Sequence, residues 1–380
     1  MIKKIAILTN GGDAPGLNAV IRAIVKTAEK YNIEAYGYIE GYKGVLENNY
    51  IKLSSKDNLK GILQKGGTII GSSNSVNLFN LKSLDEHGNI IYKDMSDYCV
   101  ENIKNAGFDC IFALGGDGTL KSARDFSKKG INMIGIPKTI DNDVAHTDIT
   151  FGFQTALETA TDALDKLQTT GESHRRIMVL EVMGRYAGWI ALYSAISGGA
   201  DACLIPEIHY DIEKVAKDIL NRKKLHDKGY AIVVVSEGAI EKDGEMLVKG
   251  FKHVSNGLDN ITLGGSGEYV AKKLEELTHI PARSTTLGYV QRGGSPVAMD
   301  RVLSSLYGTK AVEYAIDGIF NILVVQKDGH ITYVSLEDVV GENTEIGAVS
   351  GNTKKSNIRK IPKDNEILKT ARNLGISFGD

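Results

Sequence analysis

Cys110-Ile-Phe-Ala-Leu-Gly-Gly-Asp-Gly-Thr119 passes from an apolar run into a glycine turn, and Leu120, Ala123 and Phe126 then fall on one helix face. The order strand, turn, helix is one βα unit. Glycines let a backbone approach a phosphate closely, a helix start offers free N–H groups and partial positive charge, and Asp117 at the turn can reach a metal ion. Taken alone, Gly-Gly-Asp-Gly is a weak signal, because ordinary tight βα turns also favour Gly and Asp. The same design recurs at the N-terminus, where Ile5–Leu8 runs into Thr9-Asn-Gly-Gly-Asp-Ala-Pro-Gly16 and a helix over Leu17–Glu29.

A third turn carries the acids. A strand over Ile131–Ile136 leads into Pro137-Lys-Thr-Ile-Asp-Asn-Asp143. Asp141 can take a proton from a substrate hydroxyl while Asp143 helps hold a divalent metal, with Pro137 fixing the backbone at the strand exit. An acidic solvated turn is the commoner fate of Asp-Asn-Asp. Two anion-cradling turns beside an acid pair favour a single phosphoryl-transfer site over three coincidences.

Outward from these turns, strands and helices keep alternating, which argues for parallel sheets with helices on both faces. Helical spacing marks Gln154–Gln168, Trp189–Ile196, Ile212–Leu220, Tyr269–Leu277 and a short last helix over Glu366–Leu374; Ile177–Val182 and Ala231–Val235 are strand-length apolar runs. At 380 residues, 42% hydrophobic and 24% charged, the chain exceeds one typical core, so two lobes are expected. The first takes 1–152 plus about 291–340, the second 153–290 plus about 341–380. The basic, irregular stretch Gly351–Lys363 reads as a solvated connection, with an effector-phosphate contact as the lesser reading.

A net charge of −2 gives no long-range attraction for nucleic acid or anionic lipid, so small phosphorylated metabolites fit better than polymers. Cys99, Cys110 and Cys203 lack metal-ligand spacing and read as reduced, buried thiols of a cytoplasmic protein. Met1–Leu8 mimics a signal peptide, but its apolar run is too short, and no transmembrane segment is present.

The second lobe supplies cations. Arg175-Arg176, Met183-Gly184-Arg185, Arg283 and Tyr289-Val-Gln-Arg292 place Arg at or beside strand ends, and Arg is the preferred bidentate partner of phosphate. Glu237, closing Ala231–Ser236, can accept from sugar hydroxyls; a structural acid is the plain alternative.

On these motifs the chain resembles the 6-phosphofructokinases, in particular the class pairing Gly-Gly-Asp-Gly-Thr with Pro-Lys-Thr-Ile-Asp-Asn-Asp, over Ile2 to about Val312. The resemblance implies the phosphofructokinase fold, an α/β architecture of two Rossmann-like three-layer lobes, and a glycolytic reaction. ATP would phosphorylate the 1-hydroxyl of fructose 6-phosphate with Mg²⁺. It makes Asp141 the general base beside Thr139, with Lys138 and Arg185 in the catalytic group. Asp117 and Asp143 would hold Mg²⁺. Gly12, Asn74, Ser75, Gly116, Asp117, Gly118 and Thr119 would line the donor site. Thr139, Ile140, Asp141, Met183, Gly184, Arg185, Glu237, Tyr289 and Arg292 would bind the sugar phosphate. Arg176 and Arg283 would reach the 6-phosphate of a neighbouring subunit, which implies a homo-oligomer, dimer or tetramer.

Donor identity turns on two positions. Pyrophosphate-dependent relatives carry an Asp in place of Gly118 which, with Lys138, blocks the nucleotide α-phosphate; Gly118 leaves that space open, so ATP is expected and pyrophosphate is the alternative. Three departures stand out. Ser73-Asn74-Ser75 replaces a family Arg that bridges donor and acceptor, Tyr289 replaces a frequent His, and Ser55 replaces an effector Arg although Arg22 and Lys26 remain. Asn74 keeps open a catalytically weak regulatory subunit, against which Asp117, Thr139, Asp141 and Asp143 argue. A lipid or NAD kinase is disfavoured by the Arg-rich second lobe.

Overall fold

Alternate residues of β1 (Lys4–Thr9) enter different cores: Ile5 and Ile7 join one buried cluster, Ala6 and Leu8 another. A strand covered on both faces reads as an unbroken apolar run, which is why the segment is legible as parallel sheet. The computed structural model describes residues 2–57, 59–73, 76–226, 229–252, 260–340 and 357–380.

After β1 come α1 (Leu17–Lys30), β2 (Glu34–Tyr38), α2 (Tyr42–Leu46), β3 (Tyr50–Leu53), the hairpin β4 (Leu81–Leu84) and β5 (Ile90–Lys93), α3 (Ser96–Asn105), β6 (Cys110–Gly115), α4 (Asp117–Lys128) and β7 (Met133–Pro137). The chain then runs through α5 (Phe153–His174), β8 (Ile177–Val182), α6 (Trp189–Ser197), β9 (Ala202–Leu204), α7 (Ile212–His226), β10 (Ala231–Ser236), the hairpin β11 (Val248–Lys252) and β12 (Asn260–Leu263), α8 (Ser266–Thr278) and β13 (Ala282–Thr286). A 3-10 turn over Gly288–Arg292 leads to α9 (Ala298–Ile316), β14 (Ile322–Lys327), β15 (His330–Ser335), α10 (Leu336–Val340) and α11 (Glu366–Asn373).

Seven strands form the first sheet in the order β15-β14-β7-β6-β1-β2-β3; its edge pairs β14–β15 and β2–β3 are antiparallel and the rest parallel. The second sheet, β13-β8-β10-β9, is parallel throughout. Along β10, Ile232 and Val234 enter one cluster while Ala231, Val233 and Val235 enter another, so this sheet too is covered on both faces. Two sheets, each between helical layers, give the expected α/β architecture.

The chain returns from the second sheet to the first through α9, which lies against α1. Gly308 makes that approach possible, because a Cβ there would come 2.8 Å from Val20 O and 2.8 Å from the Ala23 side chain. Most sequence-expected elements recur with shifted ends. The strand expected over Ile131–Ile136 begins at Met133, and the helix expected over Gln154–Gln168 continues to His174, closing at Arg175 in the left-handed region (φ 52°).

One expectation is corrected. Residues 351–356 of the presumed solvated connection lie outside those described, but Ile361 is buried in the core beneath the second sheet. The described part of that stretch is pinned by packing at Ile361.

Asp300, fully buried in the first turn of α9, accepts from Gly152 N–H at 2.9 Å, Thr155 N–H at 2.8 Å and Thr155 Oγ1 at 2.6 Å. It thereby caps the free N–H groups of α5 from another helix. Asp300→Ala leaves those donors buried and unpaired, and should lower the unfolding free energy by about 3 kcal/mol in urea titration.

Candidate active site

β6 and β7 end side by side with Gly115 paired to Pro137, and β1 flanks β6 on the other side. Register alone therefore brings all three turns to the C-terminal edge of one sheet, where α/β folds bind ligands. Gly11, at φ 81°, turns the first strand exit and donates its N–H to Ser73 O at 2.9 Å. Thr119 Oγ1 donates to Asn10 O at 3.3 Å, and Lys138 N–H donates to Gly115 O at 3.0 Å. The Lys138 ammonium is buried and donates to the Gly12 carbonyl, tying the acidic turn to the N-terminal one. Burial pulls its pKa down to about 8; Arg292 adds to the fall, and Asp141, Asp13 and Asp143 oppose it. Gly116 opens α4, and Gly118 faces empty space, with nothing within 4 Å of an added Cβ.

The acidic turn is held by its own polar groups. Asn142 adopts φ 54°, and its Oδ1 accepts from Thr150 N–H at 3.0 Å. Thr150 Oγ1 donates to Thr139 O at 2.7 Å, and Asp141 N–H donates to Thr139 Oγ1 at 3.1 Å. Asp141 is buried, and its Oδ1 has no hydrogen-bond partner among the described residues. Burial, then the neighbouring Asp141 charge, pushes Asp143 up to about 7, against the pull of Arg185. Asp117 begins α4 with one side open to solvent; desolvation by the surrounding protein raises its pKa, and Lys121, Arg185 and Arg124 oppose the rise.

Facing these acids are the C-terminal ends of β8 and β10. Gly184 (φ 148°) and Arg185 (φ 52°) bend the chain sharply, and Arg185 N–H donates to Glu237 Oε1 at 3.2 Å. Gly238 is required beside this bend, since a Cβ there would fall 1.8 Å from Arg185 O. Glu237 is pushed up to about 7, first by burial and then by the Asp141 charge, with the Arg185 N–H and Arg292 pulling it down. Arg292 crosses back to the first sheet: its Nη1 donates to Asp13 O at 3.2 Å over Gly12, where a Cβ would meet it at 2.7 Å.

Two expected arginines lie elsewhere within the chain. Arg176 precedes β8 and Arg283 is paired beside Met178 near the start of β13, so both stand at the N-terminal edge of the second sheet. Six residues of β8 separate that edge from Arg185, roughly 20 Å of strand. Strand ends were legible from sequence, but only the C-terminal ones border this chain's own cleft. Arg283 there pairs with Glu275 at 3.1 Å. Ile140 is wholly buried in the apolar cluster of the second sheet, leaving only its backbone for a ligand. Tyr289 is 75% exposed. Asn74 and Ser75 lie outside the described residues.

Sequence reading missed three supports of the site. Thr150 fixes the acidic turn, Gln291 accepts from Met183 N–H at 2.8 Å, and Arg359 donates its N–H to Asp143 O at 2.8 Å. Gln291 stood inside a quoted motif; the other two act on backbone carbonyls and leave no sequence signal.

Glycine turns and buried acids on one sheet edge, confronted by arginines from a second, define a phosphate-handling α/β enzyme of two facing lobes. The family model described as Phosphofructokinase matches residues 4–315, and the chain belongs to that family. It is 51% identical to "ATP-dependent 6-phosphofructokinase 2" of Clostridium perfringens, over 100% of this chain and 99% of that protein. To "ATP-dependent 6-phosphofructokinase" of Chloroflexus aurantiacus it is 40% identical, over 100% and 98%. Among solved structures, Pichia pastoris phosphofructokinase in the T-state superposes with a TM-score of 0.75 at 31% identity, over 90% of this chain and 35% of the Pichia chain. The chain thus spans about a third of that larger protein. A pyrophosphate-dependent phosphofructokinase from Nitrosospira multiformis, 21% identical with a TM-score of 0.76 over 98% and 91%, shares the fold.

The raised Glu237 carboxyl has a measurable consequence. Below about pH 7 it gains a proton and loses acceptor strength; on the expectation that it binds the sugar hydroxyls, KM for fructose 6-phosphate should rise as pH falls through 7. Glu237→Gln, which cannot titrate, should raise KM at pH 8 and flatten its pH dependence in steady-state assays.

Proposed function

We propose that the chain is an ATP-dependent 6-phosphofructokinase, converting ATP and fructose 6-phosphate to ADP and fructose 1,6-bisphosphate as a step of glycolysis. The observation that carries this reading is Asp141: a buried carboxylate with an unpartnered oxygen, set between the donor-side glycine turns and the arginines of the second sheet.

In this reading the first lobe, 1–152 plus about 291–340, takes ATP, and the second, 153–290 plus about 341–380, takes the sugar phosphate. Gly12 and Gly116 to Thr119 line the donor phosphates, which backbone N–H groups at the start of α4 can approach because no side chain intervenes at Gly118. Asp141 accepts the proton of the sugar 1-hydroxyl as that oxygen attacks the γ-phosphorus, and the bond to the β-phosphate oxygen breaks. Arg185, whose charge already acts on Asp117 and Asp143, and Lys138 balance negative charge on the transferring group. Glu237 and Arg292 orient the sugar phosphate.

Asp117 and Asp143 fit a Mg²⁺ ion. Both are raised by desolvation, so a cation would relieve them. Among the described residues no group of three or more His, Cys, Asp or Glu is placed to hold a metal ion. Bound there, Mg²⁺ would neutralise charge on the donor phosphates.

Open space at Gly118 supports ATP over pyrophosphate, and Lys138 is engaged on the Gly12 carbonyl. For assembly we propose a homo-oligomer in which Arg176 and Arg283 serve a neighbour's site, since neither reaches the cleft of its own chain. A cytoplasmic setting is supported by three buried, unpaired cysteines, with the Cys99 thiol pushed up to about 12 by burial. Among the described residues no helix is long and apolar enough to cross a membrane.

A coupled assay with fructose 6-phosphate and Mg²⁺ should show turnover with ATP and none with pyrophosphate as sole donor. Turnover with pyrophosphate alone would reverse the donor assignment. Asp141→Ala should cut kcat by about 10³-fold with the fold intact by circular dichroism; near wild-type turnover would remove Asp141 as the base. Gly118→Asp, which puts an acid beside Asp117 in the open donor space, should reduce kcat/KM for ATP by about 10²-fold or more.

A further inference from the structure

Arg359 is remote in sequence from every turn of the site, yet it grips the acidic one. Its backbone N–H donates to Asp143 O at 2.8 Å, and its Nη1 donates to Asn142 O at 3.2 Å. The guanidinium lies 4.2 Å from the centre of the Trp189 ring, and Trp189 Nε1–H donates to Arg359 O at 2.8 Å. Two residues further on, Ile361 N–H donates to Glu207 Oε1 at 3.0 Å. Glu207 also accepts from Gly188 N–H with both oxygens, at 3.0 and 3.1 Å, immediately before α6.

These contacts describe a strap. One end holds the two carbonyls that follow Asp141, on the turn leaving the first sheet. The other holds Gly188 and Trp189, which continue directly from the bend that carries Arg185 at the end of β8. Thr150 braces the acidic turn from within its own lobe, but among the described residues this C-terminal segment joins it to the arginine loop opposite. The geometry calls for such a tie. Asp141, Asn142 and Asp143 combine mutual repulsion with a left-handed residue, and a loop of that kind relaxes away from its productive shape unless its backbone is held. A guanidinium stacked on an indole is a rigid, charge-assisted donor suited to hold it.

We propose that Arg359 is a positioning residue for phosphoryl transfer: it fixes the Asn142–Asp143 backbone relative to the Arg185 loop, so that base and arginine keep one geometry across the cleft. The inference rests on the phosphofructokinase reading of the acidic turn. Arg359 touches neither reacting group, and its effect falls on kcat more than on ground-state binding.

The test uses full-length wild type, Arg359→Ala and Arg359→Lys with ATP, fructose 6-phosphate and Mg²⁺. Arg359→Ala keeps the backbone bond to Asp143 but loses the Asn142 bond and the cover over Trp189. It should lower kcat about tenfold or more while both KM values stay within about twofold. Arg359→Lys can still reach the Asn142 carbonyl and should restore most of kcat. Trp189 is the single tryptophan of the chain, so its emission reports the strap independently of turnover: red-shifted in Arg359→Ala, close to wild type in Arg359→Lys. Wild-type kcat in Arg359→Ala would overturn the positioning role and leave the enzyme assignment standing. So would a kcat loss that tracks lost thermal stability and lost fructose 6-phosphate binding by calorimetry and is not rescued by Lys. A wild-type chain inert with both ATP and pyrophosphate would overturn the assignment itself, and the positioning role with it.

Discussion

Asp141 and Asp143 sit two residues apart in a turn withdrawn from water, and their repulsion sets conditions that the surrounding structure has to meet. Two ionised carboxylates at that separation are costly in a low-dielectric site, and the rise of Asp143 toward neutrality expresses that cost. The compensation is drawn from separate parts of the chain. Lys138 comes from the turn itself and Arg185 from the end of β8. Bringing these cations to one place requires the second sheet to face the first across a cleft. The crossover α9, with Asp300 capping α5, maintains that facing. A centre that already balances acid against cation is ready for phosphates, which add negative charge where arginines wait and relieve acids when they carry a metal.

Much of this was legible in the sequence, for a physical reason. β1, β6, β8 and β10 are buried on both faces, so each appears as an apolar run ending in a turn, broken in β8 by the buried Glu181. Glycines at 115 and 238 are dictated by atoms that would collide with a side chain, and such demands leave a mark in the chain. Contacts made to backbone carbonyls leave none. Thr150 and Arg359 secure the acidic turn through carbonyl oxygens of Thr139 and Asn142, groups that every sequence offers at every position. The C-terminal strap therefore reads as a basic loop until its path is known. Helix ends were blurred for a related reason: α5 continues through Gly171 because Met178 packs over it, a tertiary effect that local propensity does not register.

Arg176 and Arg283 expose a different limit. Sequence placed them at strand ends, but a strand has two, and only topology says which. In neighbouring register at the N-terminal edge of the second sheet, they stand a strand length from the cleft. Near the cleft, Tyr289, Val290, Met299 and Val302 leave an apolar surface in water on the single chain, at 75%, 66%, 61% and 57% exposure. Clustered exposure of this kind is the ordinary mark of a contact surface. The placement of these arginines and the exposed apolar side chains support the homo-oligomer proposed above.

Donor choice brings the argument back to charge. The resemblance makes Lys138 one half of a block on nucleotide, but a block needs both a cation and an acid in the space it closes. Here the ammonium is buried on the Gly12 carbonyl, where burial and then Arg292 draw its pKa down to about 8 while Asp141, Asp13 and Asp143 oppose the fall. Its charge lies between the acidic turn and the donor-side Gly12, and in the proposed reading it serves both. Position 118 offers no partner to draw it out, only open space. The ATP reading is thus supported at position 118, where a glycine leaves open the space that an acid would help to close.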